Sequence, residues 1–221
     1  MSRAHALLAD NILTYQNHPS VLVWSIGNEL PIPATGAESA YIAGATALAH
    51  RLDPTRPVAM SDSAWPGVAC QPAYAPLDVV GFNDYFWWFD AGDGGTADRQ
   101  QLSPFLDSFR ACYPSKALSV SEFGFDANRD GPVEERGTYA FQADSAAYHL
   151  RVFACKSWLA GAIYFLLQGL RDLPGLQRWQ SAADTAPRSE GPDRRVRHPQ
   201  AGLLERGRDL QGDPADRATG R

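Results

Sequence analysis

Apolar and polar residues alternate along this chain with a period that switches repeatedly between that of a helix and that of a strand. Ala4 to Tyr15 places apolar residues at helical spacing, and Asn17-His18-Pro19-Ser20 stops the pattern. Val21 to Ile26 is a short β-rich apolar run of the kind buried on both faces of a sheet. Glu38 to Leu52 predicts an Ala-rich helix closed by Asp53-Pro54-Thr55-Arg56-Pro57, and Val58-Ala59-Met60-Ser61 predicts a second strand, with a loop through Trp65-Pro66-Gly67 after it. Val79 to Asn83 predicts a third strand, Gln100 to Cys112 a helix, and Ala117 to Ser121 a fourth strand. Tyr139 to Ser157 predicts a long helix and Ala160 to Leu167 a fifth strand.

The repeated order of strand, helix and strand implies a parallel sheet with right-handed crossovers. Units of roughly 20 to 40 residues fit a (β/α) barrel or an open doubly wound sheet. Polar residues favour the barrel, because they gather at the carboxyl ends of the strands: Asn28-Glu29, Asp62, Asn83-Asp84-Tyr85 and Glu122. No Gly-x-Gly-x-x-Gly or phosphate loop follows a strand, so a nucleotide site has no support. Residues 1–170 are expected to form a partial barrel, with α/β architecture, and residues 171–221 a disordered or irregular tail.

Composition separates these two parts. Of 221 residues, 44% are hydrophobic and 20% charged, an ordinary globular balance, yet both lysines, Lys116 and Lys156, precede residue 170. The segment 171–221 holds ten arginines against eight acids and a single aromatic, Trp179. Interleaved charges there cancel most of the field that a basic tail would use to bind an acidic partner. Back-translation offers a sharper reading. Shifted by one nucleotide, Gly169 to Gly175 can spell Asp-Phe-Gly-Thr-Tyr-Pro-Gly, and Glu190 to Leu204 can also spell ordinary protein, as a frame shift near Gln168 would produce.

The net charge of −5 argues against nucleic acid, no apolar run is long enough for a membrane span, and the first residues lack a signal-peptide core. Cys70, Cys112 and Cys155 are odd in number and widely spaced, so neither a disulfide framework nor a metal site is expected, and a reducing, cytoplasmic setting is favoured. No cofactor is implied.

Glu29 and Glu122 are the candidate catalytic pair. Each ends an apolar strand, where an ionised carboxylate is costly unless the site uses it. Two carboxyls about 5 to 5.5 Å apart can act as nucleophile and acid/base of a retaining glycosidase; a wider gap means inversion.

Five segments carry a resemblance. Asn17-His18-Pro19-Ser20-Val21 through Trp24-Ser25-Ile26-Gly27-Asn28-Glu29 resembles the acid/base strand of glycoside hydrolase family 2, the β-galactosidase and β-glucuronidase family. Leu52-Asp53-Pro54-Thr55-Arg56-Pro57-Val58, Gly81 to Phe89, Ser121-Glu122-Phe123-Gly124-Phe125-Asp126 and Gly161-Ala162-Ile163-Tyr164 are similar to later segments of that family, in order and spacing. The resemblance implies that Glu29 is the acid/base and Glu122 the nucleophile. It implies that Asn28 donates to the sugar 2-hydroxyl, that Tyr85 hydrogen-bonds the nucleophile with Asn83 helping to position it, and that Trp87 and Trp88 form an aromatic wall. Phe165 stands where the family carries a ring-binding Trp. Asp62 is expected as a solvated loop acid and His18 as a structural residue of the turn.

A family barrel has three further βα units, and β-sandwich domains, before the helix that opens this chain. The resemblance therefore implies the last five units of a (β/α)8 TIM barrel, open at both edges and, as written, an inactive fragment of a β-galactosidase-like enzyme acting on terminal β-linked sugars. The alternative is a non-catalytic carbohydrate-binding remnant with Trp87, Trp88 and Tyr85 as its platform. A neutral sugar is favoured because the glucuronidases' Asn-x-Lys motif is not evident.

Overall fold

The computed structural model describes residues 3–63, 70–88 and 98–166. The expected tail 171–221, the loop at Trp65-Pro66-Gly67 and the strand residue Leu167 lie outside them. Among the described residues, four α-helices, α1 (Arg3–Tyr15), α2 (Gly36–Leu52), α3 (Leu102–Cys112) and α4 (Tyr139–Ala154), accompany five strands, and an α-helix separates each strand from the next except the second from the third, whose connection holds the short 3-10 turn Pro72–Tyr74. The strands are β1 (Trp24–Asn28), β2 (Val58–Ser63), β3 (Val79–Asp84), β4 (Ala117–Phe123) and β5 (Leu159–Tyr164). All pair in parallel and in chain order, β1-β2-β3-β4-β5. Strands in sequential order with helical crossovers are the repeating unit of a barrel rather than of a doubly wound sheet, whose order reverses at a switch point.

One face of the sheet is apolar and covered by helices. Trp24, Ile26, Val58, Met60, Val80, Phe82, Leu118, Val120 and Phe123 are buried there with Ile12 of α1, Ile42 and Leu48 of α2, and Leu106 and Phe109 of α3. The alternate positions, Ser25, Ala59, Ser61, Gly81, Ser119 and Ser121, are small and face the side a closed barrel would enclose. A Cβ added at Gly81 would stand 2.8 Å from the Ser121 hydroxyl oxygen, so the side-chain network there requires glycine. Among the described residues β1 and β5 have one strand neighbour each, and large apolar side chains lie uncovered beside both, Leu22 (77% exposed) near β1 and Ile163 (65%) on β5. Open edges of this kind are what an incomplete barrel presents.

Pairing of β1 begins at Trp24, three residues later than the apolar run suggests, because Val21 is still in the turn, its N–H donating to the His18 carbonyl at 3.2 Å. Asp53 secures this start. It accepts from the Trp24 indole N–H at 3.0 Å, from Thr55 N–H at 3.0 Å and from Arg56 at 2.6 Å, while Arg56 reaches the carbonyls of Val21 at 2.7 Å and His18 at 3.2 Å. The bonds from Thr55 and Trp24 hold the Asp53 carboxyl well below its usual range. The Asp-Pro-Thr-Arg segment is thus a clamp between α2 and the strand that carries Asn28. At the other end of α2, the Glu38 carboxylate accepts from the Thr35 backbone N–H at 2.8 Å, closing a capping box.

The cysteine expectation is corrected. Cys70 and Cys112, 42 residues apart, form a disulfide that ties the segment after β2 to the end of α3; Cys155 is free and exposed. Sequence spacing could not reveal it, since the two meet only once β2, β3 and α3 are packed, and the case for a reducing setting loses its basis. Closing a loop of that length stabilises by on the order of 4 kcal/mol through the unfolded chain. Reductant should therefore lower the urea midpoint, Cys112→Ala should lower it equally, and that variant should no longer respond to reductant; equal midpoints for oxidised and reduced chain would contradict the pairing.

Candidate active site

A strand sends alternate side chains to opposite faces, so two adjacent residues cannot both line one face unless the strand is bulged. Both strands that carry a candidate acid have such an irregularity. In β4 the register jumps, with Phe82 opposite Val120 but Asn83 opposite Glu122, which inserts Ser121 as an extra residue. Ser121 and Glu122 can then both serve the inner side, while Phe123 returns to the helix layer, where it is 2% exposed. In β1 the pairing passes from Ser25–Ala59 to Asn28–Ser61, again one residue more on the first strand. Glu29 follows directly with a left-handed backbone (φ 50°), its N–H donating to the Ser61 carbonyl at 3.0 Å. A left-handed glutamate costs about 1 to 2 kcal/mol, a strain characteristic of functional sites.

Asn83 joins the two halves. Its Nδ2 donates to Glu29 Oε1 at 2.8 Å and to Asn28 Oδ1 at 3.0 Å, and its Oδ1 accepts from the Ser121 hydroxyl at 2.9 Å. The amide orientations follow from this network: Asn28 spends its oxygen on Asn83, which leaves its NH2, on an exposed residue, as a donor. Sequence expectation put Asn83 beside Glu122; it bonds to Glu29 instead. Tyr85 lies where expected, its hydroxyl donating to Glu122 Oε2 at 2.7 Å. Burial, and next the bond to Glu122, push the Tyr85 phenol well above its usual range, so it remains a donor at any working pH.

The aromatic wall is only partly present. Trp88 is 5% exposed and packed against Phe125 and Phe141, which makes it a core residue rather than a sugar platform. Trp87 is half-buried, has a left-handed backbone (φ 73°) and lies under the Arg99 guanidinium, 5.7 Å from its ring centre. That turn sends two consecutive rings to different sides. Phe165 is 43% exposed beside the end of β4, its N–H donating to the Phe123 carbonyl at 2.7 Å. Asp126 is exposed at the rim, yet crowding of its carboxyl by the surrounding site raises it above the usual range, and its charge bears on Tyr85 and Tyr164.

Two acids that the sequence placed among the strand-end polar residues, Asp62 and Asp84, and one histidine it did not single out, His149, lie behind the site. Asp62, expected in solvent, is 1% exposed: it shares the outer face with Val58 and Met60, accepts from the Tyr74 hydroxyl at 3.0 Å, and is raised to about 6, chiefly by burial. Asp84 and His149 are both fully buried, with Asp84 Oδ2 3.7 Å from His149 Nε2. Parity along β2 and β3 was the available signal for both acids, since each falls on the face of its apolar neighbours. His18 is structural as expected: Nδ1 accepts from Ser20 N–H at 3.3 Å. No group of His, Cys, Asp and Glu suited to a metal ion occurs among the described residues, and no described helix is long and apolar enough to cross a membrane.

The fold is similar to that of known proteins. Residues 3–103 match the family described as Glycosyl hydrolases family 2, TIM barrel domain. A beta-glucuronidase of Paenibacillus borealis is 32% identical over 143 residues, covering 60% of this chain and 22% of that protein; the human beta-glucuronidase is 36% identical over 111 residues, covering 49% and 16%. The chain thus spans about a fifth of the length of these curated relatives. A solved beta-glucuronidase of Faecalibacterium prausnitzii superposes with a TM-score of 0.72 at 23% identity, covering 95% of this chain and 35% of that one. A crystal structure from Bacteroides fragilis, named a putative beta-galactosidase, gives 0.62 at 22%, covering 74% of this chain and 24% of that one.

Asp62 yields a test of the outer face. Its carboxyl is raised in the folded chain, so it favours folding below pH ~4, where both states hold the proton, and that contribution is lost as pH rises through about 6. Asp62→Asn keeps the acceptor for Tyr74 and should stabilise by up to about 3 kcal/mol above pH ~7, with no gain below pH ~4. Thermal unfolding of both forms across that range checks it; equal midpoints throughout would contradict the assigned burial.

Proposed function

We propose, for a chain that belongs to glycoside hydrolase family 2, that its strands carry the acid/base and nucleophile of a retaining β-glycoside hydrolase. The observation that supports this best is the continuous linkage of the two strand-end acids. Glu29 is held by Asn83, Asn83 by Ser121, and Glu122, next in the chain, by Tyr85.

In the first step Glu122 attacks the anomeric carbon, the bond from that carbon to the leaving oxygen breaks, and Glu29 gives its proton to that oxygen. In the second, water attacks the same carbon, Glu29 takes the proton from water, and the ester bond to Glu122 breaks. Tyr85 offers its hydroxyl to the Glu122 carboxylate throughout, which steadies the negative charge before attack and as it returns. The free NH2 of Asn28 is the group suited to the sugar 2-hydroxyl, a contact that strengthens as the oxocarbenium-like transition state forms. Asn83 aligns both Asn28 and Glu29, so one side chain sets acid position and sugar contact together. Trp87 and Phe165, the two partly open rings at the mouth, suit the apolar faces of a sugar. The non-catalytic reading is weaker, because Trp88 is buried and the Tyr85 hydroxyl is committed to Glu122.

Terminal β-linked sugars are the substrate class. The names of the relatives put β-glucuronides beside β-galactosides as the first compounds to test.

Among the described residues the edges at β1 and β5 are open, and five strands do not close an eight-strand barrel around a sugar. The 221-residue chain alone is therefore expected to show no measurable turnover of aryl β-glycosides, and turnover should appear when strands that close the barrel are supplied in a longer polypeptide. Turnover by the chain alone at ordinary enzyme rates, abolished by Glu122→Ala, would overturn that expectation. In the closed form, Glu29→Gln should lower kcat/KM for a phenyl β-glycoside by roughly 10² to 10⁴ while sparing a dinitrophenyl glycoside, whose leaving group needs no proton. Equal losses on both substrates would remove Glu29 from the acid/base role.

A further inference from the structure

Asp84 lies between the two residues that hold the candidate acids, Asn83 and Tyr85, yet its own side chain points the other way. It enters the helix layer, at 0% exposure, where Oδ1 accepts from Phe86 N–H at 3.1 Å and so shapes the turn by which Tyr85 leaves the strand. Oδ2 faces His149 Nε2 at 3.7 Å, and neither atom has a hydrogen-bond partner among the described residues. His149, also at 0% exposure, places Nδ1 2.8 Å from the Ser145 carbonyl oxygen.

That carbonyl can only accept, so Nδ1 carries a hydrogen. In a neutral imidazole Nε2 then has a lone pair, and an ionised Asp84 would set lone pair against lone pair and bury an uncompensated charge. One additional proton removes both costs. It can reside on the carboxyl, whose O–H then faces the Nε2 lone pair across 3.7 Å, or on the ring, whose N–H then faces the carboxylate. Burial raises the Asp84 carboxyl above its usual range, consistent with the pair retaining that proton. The groups that face His149 are Asp84 from β3, Phe123 from β4, Phe125 just after it, and Ser145, Tyr148 and Phe153 of its own helix; Asp84 is the only acid among them.

We propose that Asp84 and His149 form a buried positioning pair that holds one shared proton and fixes the strand end from which Asn83 reaches Glu29 and Tyr85 reaches Glu122. This rests on the reading of Glu29 and Glu122 as the working acids. Neither member touches them: the pair acts through the backbone of residues 83 to 86. The ring of His149 also meets Phe123 and Phe125, which follow Glu122 in the chain, at centroid distances of 6.4 and 4.9 Å. One buried contact therefore braces the ends of β3 and β4 against α4.

The test is nuclear magnetic resonance on the 221-residue chain, labelled at histidine ring nitrogens, at aspartate and glutamate carboxyls and at the tyrosine ring carbons. No turnover is read, so a failure here is distinct from a failure of the glycosidase reading. The pair's nitrogen and carboxyl signals should stay constant from about pH 5 to 8, the range in which an ordinary imidazole changes charge. Asp84→Asn can donate from its amide to Nε2 and still accept from Phe86 N–H, so it should keep the Tyr85 and Glu122 signals of the hydrogen-bonded state. Asp84→Leu, of similar size, should lose them while the chain remains folded. If the leucine variant does not fold, the asparagine variant and the pH series of the unaltered chain decide. A full titration of the pair within that range, a leucine variant with unchanged Tyr85 and Glu122 signals, or an asparagine variant that loses them would overturn the proposal.

Discussion

Side-chain alternation along a parallel strand is the constraint around which the candidate site is built. A strand buried on both sides must give its apolar residues to the helix layer, and every second position is thereby committed. Asn28 and Glu29, and likewise Ser121 and Glu122, are neighbours in sequence that both have to serve the inner side. The irregularities in β1 and β4 resolve that conflict by one residue each, with Trp24, Ile26, Val120 and Phe123 still in the core. In a β4 that alternated regularly through Ser121, without the bulge, Glu122 would turn toward the helix layer and Phe123 would face the opening. Asn83 then exploits the result. It sits on β3, which pairs directly with β4 and is separated from β1 by β2, and its side chain reaches both bulged segments.

The reverse of that site is more polar than the core of such a sheet needs to be. Asp62 and Asp84 take outer-face positions that elsewhere belong to Val58, Met60, Val80 and Phe82, and each is answered from the helix layer, by Tyr74 and by His149. Burying acids costs stability, and their registers along β2 and β3 place them directly behind the inner residues Ser61, Ser63 and Asn83. The disulfide strengthens the same region, since Cys70 precedes Gln71 and Tyr74, and Cys112 precedes Tyr113, whose hydroxyl accepts from Gln71 N–H at 2.8 Å.

Much of this was legible in the chain. Five apolar runs gave the five strands because burial on both faces leaves a sequence signature that survives without tertiary information. The carboxyl-end residues Asn28, Glu29, Asn83, Tyr85 and Glu122 stood out because polar groups interrupt those runs. What the sequence could not express was orientation. Val21 to Val23 are as apolar as the strand they precede, and only the turn closed on His18 keeps them outside it. Trp87 and Trp88 are identical in type, and the left-handed backbone at Trp87 decides which of them the core receives. Asn83 was expected near Glu122 and found on Glu29, because a side chain between two acids can be assigned only from coordinates. Asp62 was the avoidable miss, since its parity with Val58 and Met60 was present in the sequence.

The most direct test of the central claim, that β1 and β4 supply acid/base and nucleophile to one sugar, is covalent trapping with a 2-deoxy-2-fluoro β-glycoside of dinitrophenol. It is performed on the polypeptide with its barrel closed, followed by mass spectrometry of the peptides. The account predicts a fluorosugar on the peptide containing Glu122, none on the peptide containing Glu29, and no label after Glu122→Gln. A label on any other residue, or hydrolysis of ordinary glycosides by a protein that never takes the label, would contradict it.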